Sequence, residues 1–271
     1  LDPRQVAKKI TRKTKAILAV HIFGQPADMA PLMRLARKHN LEIVEDACEA
    51  LGATYRGRRV GTFGQSAVFA FYPNKQITTG EGGMIVTSNR KVWELCRSLR
   101  NQGRAENMQW LDHTRLGYNY RLTEMSAALG LSQLARFDFM VGERRKIVRW
   151  YGKYLKAHGA VIRPPATATG NTHTWFVYVV RVVKKGIDRN KLIEILGKKG
   201  VSTKPYLPAI HLFDFYRRKF GYAEGDFPVA EKISRESLAL PIYVGLKEKD
   251  VKIIAAKLVD AVLNYGQYLQ E

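Results

Sequence analysis

A strand–helix–strand pattern near the start of the chain constrains its fold more than any other feature. Residues 16–20 are an unbroken apolar run, as expected for a strand covered on both faces, and residues 41–44 predict a second short strand. Between them, Asp28 can cap a helix whose apolar side chains share one side, namely Leu32, Met33, Leu35 and Ala36. Two strands joined in this way lie parallel, with a right-handed crossover. The pattern therefore predicts an α/β fold with a mostly parallel sheet and flanking helices.

The segments that follow extend this sheet. Residues 55–60 predict a tight hairpin with Gly57 in its turn, and residues 67–71 and 84–87 predict two further strands. Residues 91–100 are typical of a helix. We expect these elements to complete the part of a large α/β domain that the chain carries.

The second half of the chain predicts a smaller domain. A long helical pattern starts at Thr123 and bends at Gly142 or earlier. Beyond it, residues 173–180 predict a strand, residues 188–200 predict a helix, and an amphipathic helix closes the chain. The expected domains are residues 1–135, the large one, and residues 136–271, a small α+β domain.

The composition narrows the functional classes. Lys and Arg number 45 against 24 Asp and Glu, and the net charge of +21 favours encounters with anionic substrates. The basic residues are scattered, without an RNA-binding aromatic motif or zinc-finger spacing, so a nucleic-acid-binding module is an alternative that rests on charge alone. The chain has no apolar run of about 18 residues and no apolar signal-peptide centre. Cys48 and Cys96 lack the spacing of a zinc site. We therefore expect a cytoplasmic protein without a metal, a membrane span or a nucleic-acid partner.

Two polar residues follow predicted strands, at the positions where α/β sheets bind ligands. Asp46 comes just after residues 41–44, and Lys75 follows residues 67–71, before a glycine-rich turn. A lysine in such a crevice can become a nucleophile, and a carboxylate can keep a pyridine nitrogen protonated. An amine and an acid in these two roles are what a pyridoxal 5'-phosphate (PLP) enzyme requires. Lys75 is therefore the candidate catalytic residue, and Asp46 a candidate cofactor ligand.

Both residues also have an ordinary structural interpretation. Most lysines are solvated, and an aspartate after a strand is more often a helix cap than a ligand. Gly80, Gly82 and Gly83 allow positive φ and close backbone approach. Their spacing does not fit the GxxxxGK[ST] phosphate loop, so ATP binding is not indicated.

Four ordered motifs resemble those of a known family. They are VHIFGQPADM at residues 20–29, EDA at 45–47, FYPNK with GEGG at 71–75 and 80–83, and LGYNYRL at 116–122. They are similar to motifs of the PLP-dependent nucleotide-sugar aminotransferases of the DegT/DnrJ/StrS family, and the similarity extends over nearly the whole chain. The resemblance implies a fold-type I PLP-dependent transferase that forms a homodimer with shared active sites. It also implies transfer of an amino group from an amino acid, expected to be glutamate, to a keto group of a nucleotide-linked sugar in sugar or polysaccharide biosynthesis.

The resemblance assigns roles to individual residues. Lys75 would bind PLP covalently and later move a proton, while Asp46 would pair with the ring nitrogen of the cofactor. Asn119 would reach across the dimer interface to the phosphate of the neighbouring cofactor, and Arg121 would bind a carboxylate or phosphate group of the substrate. Glu49 stands where the family often has Gln, beside the ring hydroxyl, where an ionised carboxylate must be protonated or turned away. Without the resemblance, Asn119 is typical of an Asx turn and Arg121 of a surface ion pair.

Departures from the family pattern leave alternatives open. Ala70 stands where many members carry a phosphate-binding Ser, and Cys48 replaces a common Ala. The chain begins where the family is already well into its large domain, so we expect the N-terminal phosphate-binding turn to be missing. One alternative is a catalytically incomplete fragment that acts as a structural or interaction partner. The other is a related PLP-dependent sugar dehydratase, in which the lysine is lost, so Lys75 argues against it. Substrate contacts are expected from residues 104–115 and from the partner subunit.

Overall fold

The computed structural model describes residues 1–105, 107 and 112–270. Up to residue 155 the elements are α1 (Pro3–Lys9), β1 (Ala16–Val20), α2 (Met29–His39), β2 (Glu42–Asp46), β3 (Thr54–Tyr55), β4 (Arg58–Arg59), β5 (Ser66–Ala70), β6 (Gly83–Val86), α3 (Arg90–Leu99), α4 (Glu124–Ala135) and α5 (Phe137–Leu155). They are followed by β7 (Ile162–Arg163), β8 (Asn171–Thr172), β9 (Tyr178–Val182), α6 (Arg189–Lys198), β10 (Lys204–Pro205), α7 (Asp214–Phe220), α8 (Pro228–Glu236), β11 (Ser237–Leu240) and α9 (Glu248–Leu263).

These residues form two compact units. The first comprises Leu1–Val141 and Thr167–Phe176, and the second comprises Gly142–Ala166 and the residues from Val177 onward. The boundary at residue 141 falls inside α5, so this helix contributes to both units.

The first unit is built on a sheet of strand order β1-β2-β5-β6. The first three strands run parallel and β6 is antiparallel to β5, which confirms the predicted mostly parallel sheet. The predicted strand–helix–strand unit is β1-α2-β2, and α2 ends at His39 with Asn40 in the left-handed conformation (φ 51°). Asp28 precedes α2 as expected, but its carboxylate accepts a hydrogen bond from the Tyr55 hydroxyl at 2.6 Å and does not cap the helix.

One face of this sheet carries the core of the first unit. Side chains alternate between the two faces of a strand, and Ile17, Ala19 and Ile43 point to the same side. There they pack with Leu32 and Ala36 of α2 in one buried cluster. Burial of each large aliphatic side chain contributes about 1.5–3 kcal/mol. This packing fixes the position of β2 and therefore of the residues at its carboxyl end.

The other face of the sheet is more exposed and carries Asp46. Leu18 and Val20 of β1 are 56% and 37% exposed. Asp46 lies opposite Val20 on one neighbouring strand and opposite Val68 on the other. Residues that are paired in register point to the same face, so Asp46 shares the exposed face with both.

The long helix predicted from Thr123 is two helices in the structure. Thr123 caps α4 through its hydroxyl oxygen, which accepts the N–H of Ser126 at 3.2 Å. The chain leaves the helical conformation at Arg136, where α4 ends and α5 begins. The bend predicted at Gly142 or earlier is therefore a break at Arg136.

The second unit has the predicted α+β architecture. Its sheet has the order β10-β11-β9-β7 and is antiparallel throughout. Asp188 caps α6 by accepting the N–H groups of Asn190 and Lys191. α6 packs against α9, and the apolar face predicted for the last helix is buried at Val251, Ala255, Leu258 and Val262.

The strand predicted at residues 173–180 is wrong over residues 173–177. β8 ends at Thr172 and β9 begins at Tyr178. Trp175 adopts φ 55°, which interrupts an extended chain. The Trp175 N–H donates to His173 Nδ1 at 2.9 Å, and this local hydrogen bond takes the place of a strand partner.

Candidate active site

The carboxyl ends of two neighbouring parallel strands supply the candidate residues. Asp46 is the last residue of β2, and Lys75 lies in the loop that follows β5. β2 and β5 are hydrogen-bonded to each other and run in the same direction, so these two positions lie at the same edge of the sheet.

The amine of Lys75 is directed into the protein. Its Nζ lies 3.5 Å from Glu49 Oε1 and 4.4 Å from the centroid of the Phe176 ring, and the side chain is only 15% exposed. The Lys75 backbone N–H donates to the Tyr72 carbonyl at 2.9 Å, which closes a turn directly before the side chain. These contacts differ from those of a solvated loop lysine.

Glu49 is fixed at two points. Its Oε2 accepts the backbone N–H of Phe23 at 2.8 Å, and its backbone carbonyl accepts a hydrogen bond from Gln76 Nε2. The remaining oxygen, Oε1, faces the Lys75 amine. The carboxylate that we expected to be protonated or turned away is therefore directed at a backbone donor and an ammonium group.

A segment that the sequence analysis assigned to a strand encloses the lysine. Thr174 and Phe176 donate backbone N–H groups to the carbonyls of Gly24 and Phe23, both at 3.0 Å. Gly24 has φ 100°, and a Cβ there would lie 2.9 Å from a backbone nitrogen of this segment, so only glycine allows the approach. Sequence reasoning missed Phe176 as a neighbour of Lys75 because no local pattern signals a contact between such distant positions.

The Cys48 thiol beside Asp46 is not a competing nucleophile. Asp46 Oδ1 accepts the Cys48 N–H at 3.1 Å. Burial, together with a hydrogen bond to Asp46, raises the pKa of the Cys48 thiol to about 12. Because a thiol reacts as its thiolate, this shift disfavours Cys48 as a nucleophile near neutral pH. Lys75 stays the candidate nucleophile at this sheet edge.

Glu45, the neighbour of Asp46, points to the opposite face and is fully buried. Burial alone would raise the pKa of the Glu45 carboxyl, but hydrogen bonds outweigh this effect and hold the pKa below its ordinary value. The donors are His21 Nε2 at 3.0 Å and the backbone N–H groups of Gly61, Phe63 and Gly64 at 2.7, 2.6 and 2.8 Å. Glu45 thus ties the loop before β5 to β2, which leaves Asp46 as the carboxylate that faces the site.

Asn119 and Arg121 lie beside Asn101. Asn119 forms an isolated antiparallel bridge with Asn101, and Arg121 Nη1 donates to Asn101 Oδ1 at 2.9 Å. Within the described residues, no hydrogen bond or ion pair joins either of them to Lys75 or Glu49. The structure therefore places Lys75, Glu49 and Asp46 at one sheet edge and leaves Asn119 and Arg121 in a separate cluster.

A cavity of about 920 Å³ lies beside β5 and β6. It is lined by two register pairs of these strands that point to opposite faces, Val68 with Ile85 and Phe69 with Met84, and its described lining residues do not include Asp46, Lys75 or Glu49. Three arginines, Arg97, Arg100 and Arg121, also line the cavity, while Glu81 is the one acidic side chain among its described lining residues. This balance of charge suits an anionic ligand.

Three further expectations concern the loop at residues 104–115, metal binding and membrane spans. Of residues 104–115, where we expected substrate contacts, residues 106 and 108–111 lie outside the described residues. In the described part of the chain, no group of three or more His, Cys, Asp or Glu side chains could hold a metal ion. No helix there is both long and apolar enough to cross a membrane.

Known proteins are similar to this chain in sequence. Residues 1–259 match the sequence model of a family described as the DegT/DnrJ/EryC1/StrS aminotransferase family. GDP-perosamine synthase of Caulobacter vibrioides is 39% identical over 265 residues, which cover 97% of this chain and 70% of that protein. The dTDP-3-amino-3,4,6-trideoxy-alpha-D-glucose transaminase of Streptomyces venezuelae is 37% identical over 275 residues, which cover 100% of this chain and 69% of that protein.

A solved structure extends the similarity to three dimensions. The crystal structure of DesV from S. venezuelae matches with a TM-score of 0.89 at 37% identity, over 97% of this chain and 69% of the DesV chain. The similarity confirms the predicted fold-type I class.

Proposed function

The chain belongs to the DegT/DnrJ/EryC1/StrS aminotransferase family, and we propose that it uses PLP to transfer the amino group of glutamate to a keto group of a nucleotide-linked sugar. The observation that carries this proposal is the inward-pointing Lys75 amine at the sheet edge that also presents Asp46. The names of two relatives, a GDP-perosamine synthase and a dTDP-sugar transaminase, support the substrate class. In the transfer, the donor exchanges its amino group for a keto oxygen and the sugar makes the opposite exchange.

The residues at the sheet edge fit PLP. An aldehyde-bearing pyridine requires a primary amine for its aldehyde and a carboxylate for its ring nitrogen. Lys75 supplies a largely buried amine, and Asp46 supplies a half-buried carboxylate on the adjacent strand. When bound, PLP supplies an electron sink for the bond changes at the amino-bearing carbon.

Lys75, Asp46 and Arg121 have separate roles in binding the cofactor and the substrate. Lys75 would hold the cofactor through Nζ and would hold the proton that moves during the transfer. Asp46 would accept a hydrogen bond from a protonated ring nitrogen and so stabilise its positive charge. Arg121 lines the arginine-rich cavity and binds an anionic group of the substrate, for which its planar guanidinium is suited.

Reductive trapping tests the role of Lys75. The protein is mixed with PLP, reduced with borohydride and digested, and the labelled peptide is identified by mass spectrometry. We expect the label on Lys75, and we expect Lys75→Ala to lose both the label and transamination. Lys38→Ala, which removes an exposed lysine of α2, should leave both unchanged. A label on a different lysine rejects the assignment.

The homodimer and the role of Asn119 are part of the same proposal. Asn119 then contacts the cofactor phosphate of a second copy, so each site needs two chains. Mixing Lys75→Ala with Asn119→Ala should restore part of the activity, because a hybrid dimer contains one unaltered site. Absence of recovery with proven subunit exchange contradicts shared sites. The domain boundary at residues 135/136 and the cytoplasmic location stay predictions.

A further inference from the structure

We propose that Glu49 is a positioning residue that acts as the counter-ion of Lys75 and restrains its amine before a carbonyl ligand is bound. The pair is separated by 3.5 Å, and the two side chains are only 15% and 16% exposed. Ion pairs shielded from water are screened by salt much less than exposed pairs. The importance of this pair for catalysis rests on the proposed function, but its existence does not.

The carboxylate is held in place without help from Lys75. Phe23 donates its backbone N–H to Oε2, and Phe23 itself adopts a left-handed conformation (φ 61°) that directs this N–H. Gln76, which follows Lys75 directly, donates from Nε2 to the Glu49 carbonyl and to Thr174 Oγ1, the latter at 3.1 Å. Gln76 thus joins the backbone beside Lys75 to the backbone of Glu49, so the two partners of the ion pair are held at a fixed separation. Little side-chain entropy is lost when they pair, unlike in an ion pair of two mobile surface chains.

Among the described residues, Glu49 lies on one side of the ammonium group, and the face of the Phe176 ring, which attracts cations, lies 4.4 Å from Nζ. An ammonium ion has no lone pair with which to attack a carbonyl group, so Lys75 must give up a proton, to Glu49 or to water, before it can react. Its nitrogen must also leave the contact with Glu49 to reach a carbonyl ligand.

Glu49→Gln isolates the effect of the Glu49 charge on the Lys75 amine. The amide oxygen of Gln can still accept the Phe23 N–H, while the negative charge beside Lys75 is lost. The substitution introduces the residue that the family often carries at this position, so the fold should tolerate it. Thermal unfolding of the variant verifies this.

Competitive acetylation of the cofactor-free protein measures the restraint. Trace acetic anhydride is added, and acetylation of Lys75 is compared by mass spectrometry with that of exposed Lys9 and Lys38 in the same sample. Relative to these references, we expect Lys75 to react several-fold faster in Glu49→Gln than in the unaltered protein. Glu49→Asp keeps the charge and should stay closer to the unaltered protein. Glu81→Gln removes the same charge from an exposed residue and should have no effect.

The outcomes separate this proposal from the proposed function. Equal relative acetylation of Lys75 in the unaltered protein and in Glu49→Gln overturns the counter-ion role, even if PLP labels Lys75. An equal rise in Glu81→Gln also overturns it, because the effect would then be one of net charge. If acetylation responds as expected but PLP fails to label Lys75, the proposed function fails and the role of Glu49 stands.

Discussion

Two consecutive carboxylates at the end of β2 have opposite surroundings. Glu45 is fully buried and accepts hydrogen bonds from His21 and from three backbone N–H groups. Asp46 points to the exposed face, is half-buried and accepts the Cys48 N–H. The alternation of side chains along a strand causes this difference. It teaches that a carboxylate whose oxygens are satisfied by the protein stabilises the fold, whereas one with remaining acceptor capacity can serve a ligand.

Glu45→Gln should produce the largest loss of stability. The amide group of Gln would face backbone N–H donors that need an acceptor, and His21 would lose its anionic partner. Removal of one partner of a buried pair costs about 3–5 kcal/mol. Urea unfolding measures this loss, and Glu42→Gln, at the exposed start of the same strand, is the matched control. A loss no greater than that of the control would contradict the structural role.

Asp46→Asn should lower the rate of transamination and leave the stability of the protein nearly unchanged. Loss of a charged group that stabilises the reacting system lowers rates by about 10²–10³-fold. Because Asp46 is only half-buried, the free energy of unfolding of the Asp46→Asn variant should stay within about 0.5 kcal/mol of that of the unaltered protein. Transamination rates test the loss of activity, and urea unfolding of the same preparation tests the unchanged stability. If Asp46→Asn destabilised the protein as much as Glu45→Gln, the distinction between the two carboxylates would be lost.

The pH dependence of stability sharpens the same comparison. The pKa of Glu45 is lowered in the folded protein from an ordinary value of 4.5, so the unfolded chain takes up a proton first as the pH falls. The stabilisation by Glu45 is therefore complete above about pH 4.5 and is lost as the pH falls through the lower folded pKa. The difference in unfolding free energy between the unaltered protein and Glu45→Gln should shrink as the pH falls below about 4.5. A difference that stays constant would show that the charge of Glu45 is not what stabilises the loop.

Much of the fold could be predicted because its signals are local. An unbroken apolar run gave β1, the spacing of apolar residues gave α2, and Gly57, with φ 82°, marked the hairpin turn. The break at Arg136 could not be placed, because no glycine or proline marks it.

The candidate site was less predictable than the fold. Asp46 and Lys75 were found because ligand-binding residues follow the carboxyl ends of parallel strands. Glu49 was found through the resemblance, but Phe23, which donates to Glu49, and Phe176, which contacts Lys75, were not. Phe23 and Phe176 reach the site through a left-handed turn and a strand interruption, and both depend on contacts between distant segments.

Asp188 combines accepted backbone hydrogen bonds, as in Glu45, with an exposed side chain, and so tests which of the two properties determines stability. Asp188 accepts two backbone N–H groups, from Asn190 at 2.7 Å and Lys191 at 3.2 Å, but it is exposed at the start of α6. If satisfied acceptors stabilise in proportion to burial, Asp188→Ala should cost only about 1 kcal/mol, as is typical for an N-cap. Asp188→Asn retains an acceptor oxygen and should recover most of this loss in urea unfolding. A loss from Asp188→Ala as large as that from Glu45→Gln would mean that the number of donors, and not the exclusion of water, determines what a carboxylate contributes.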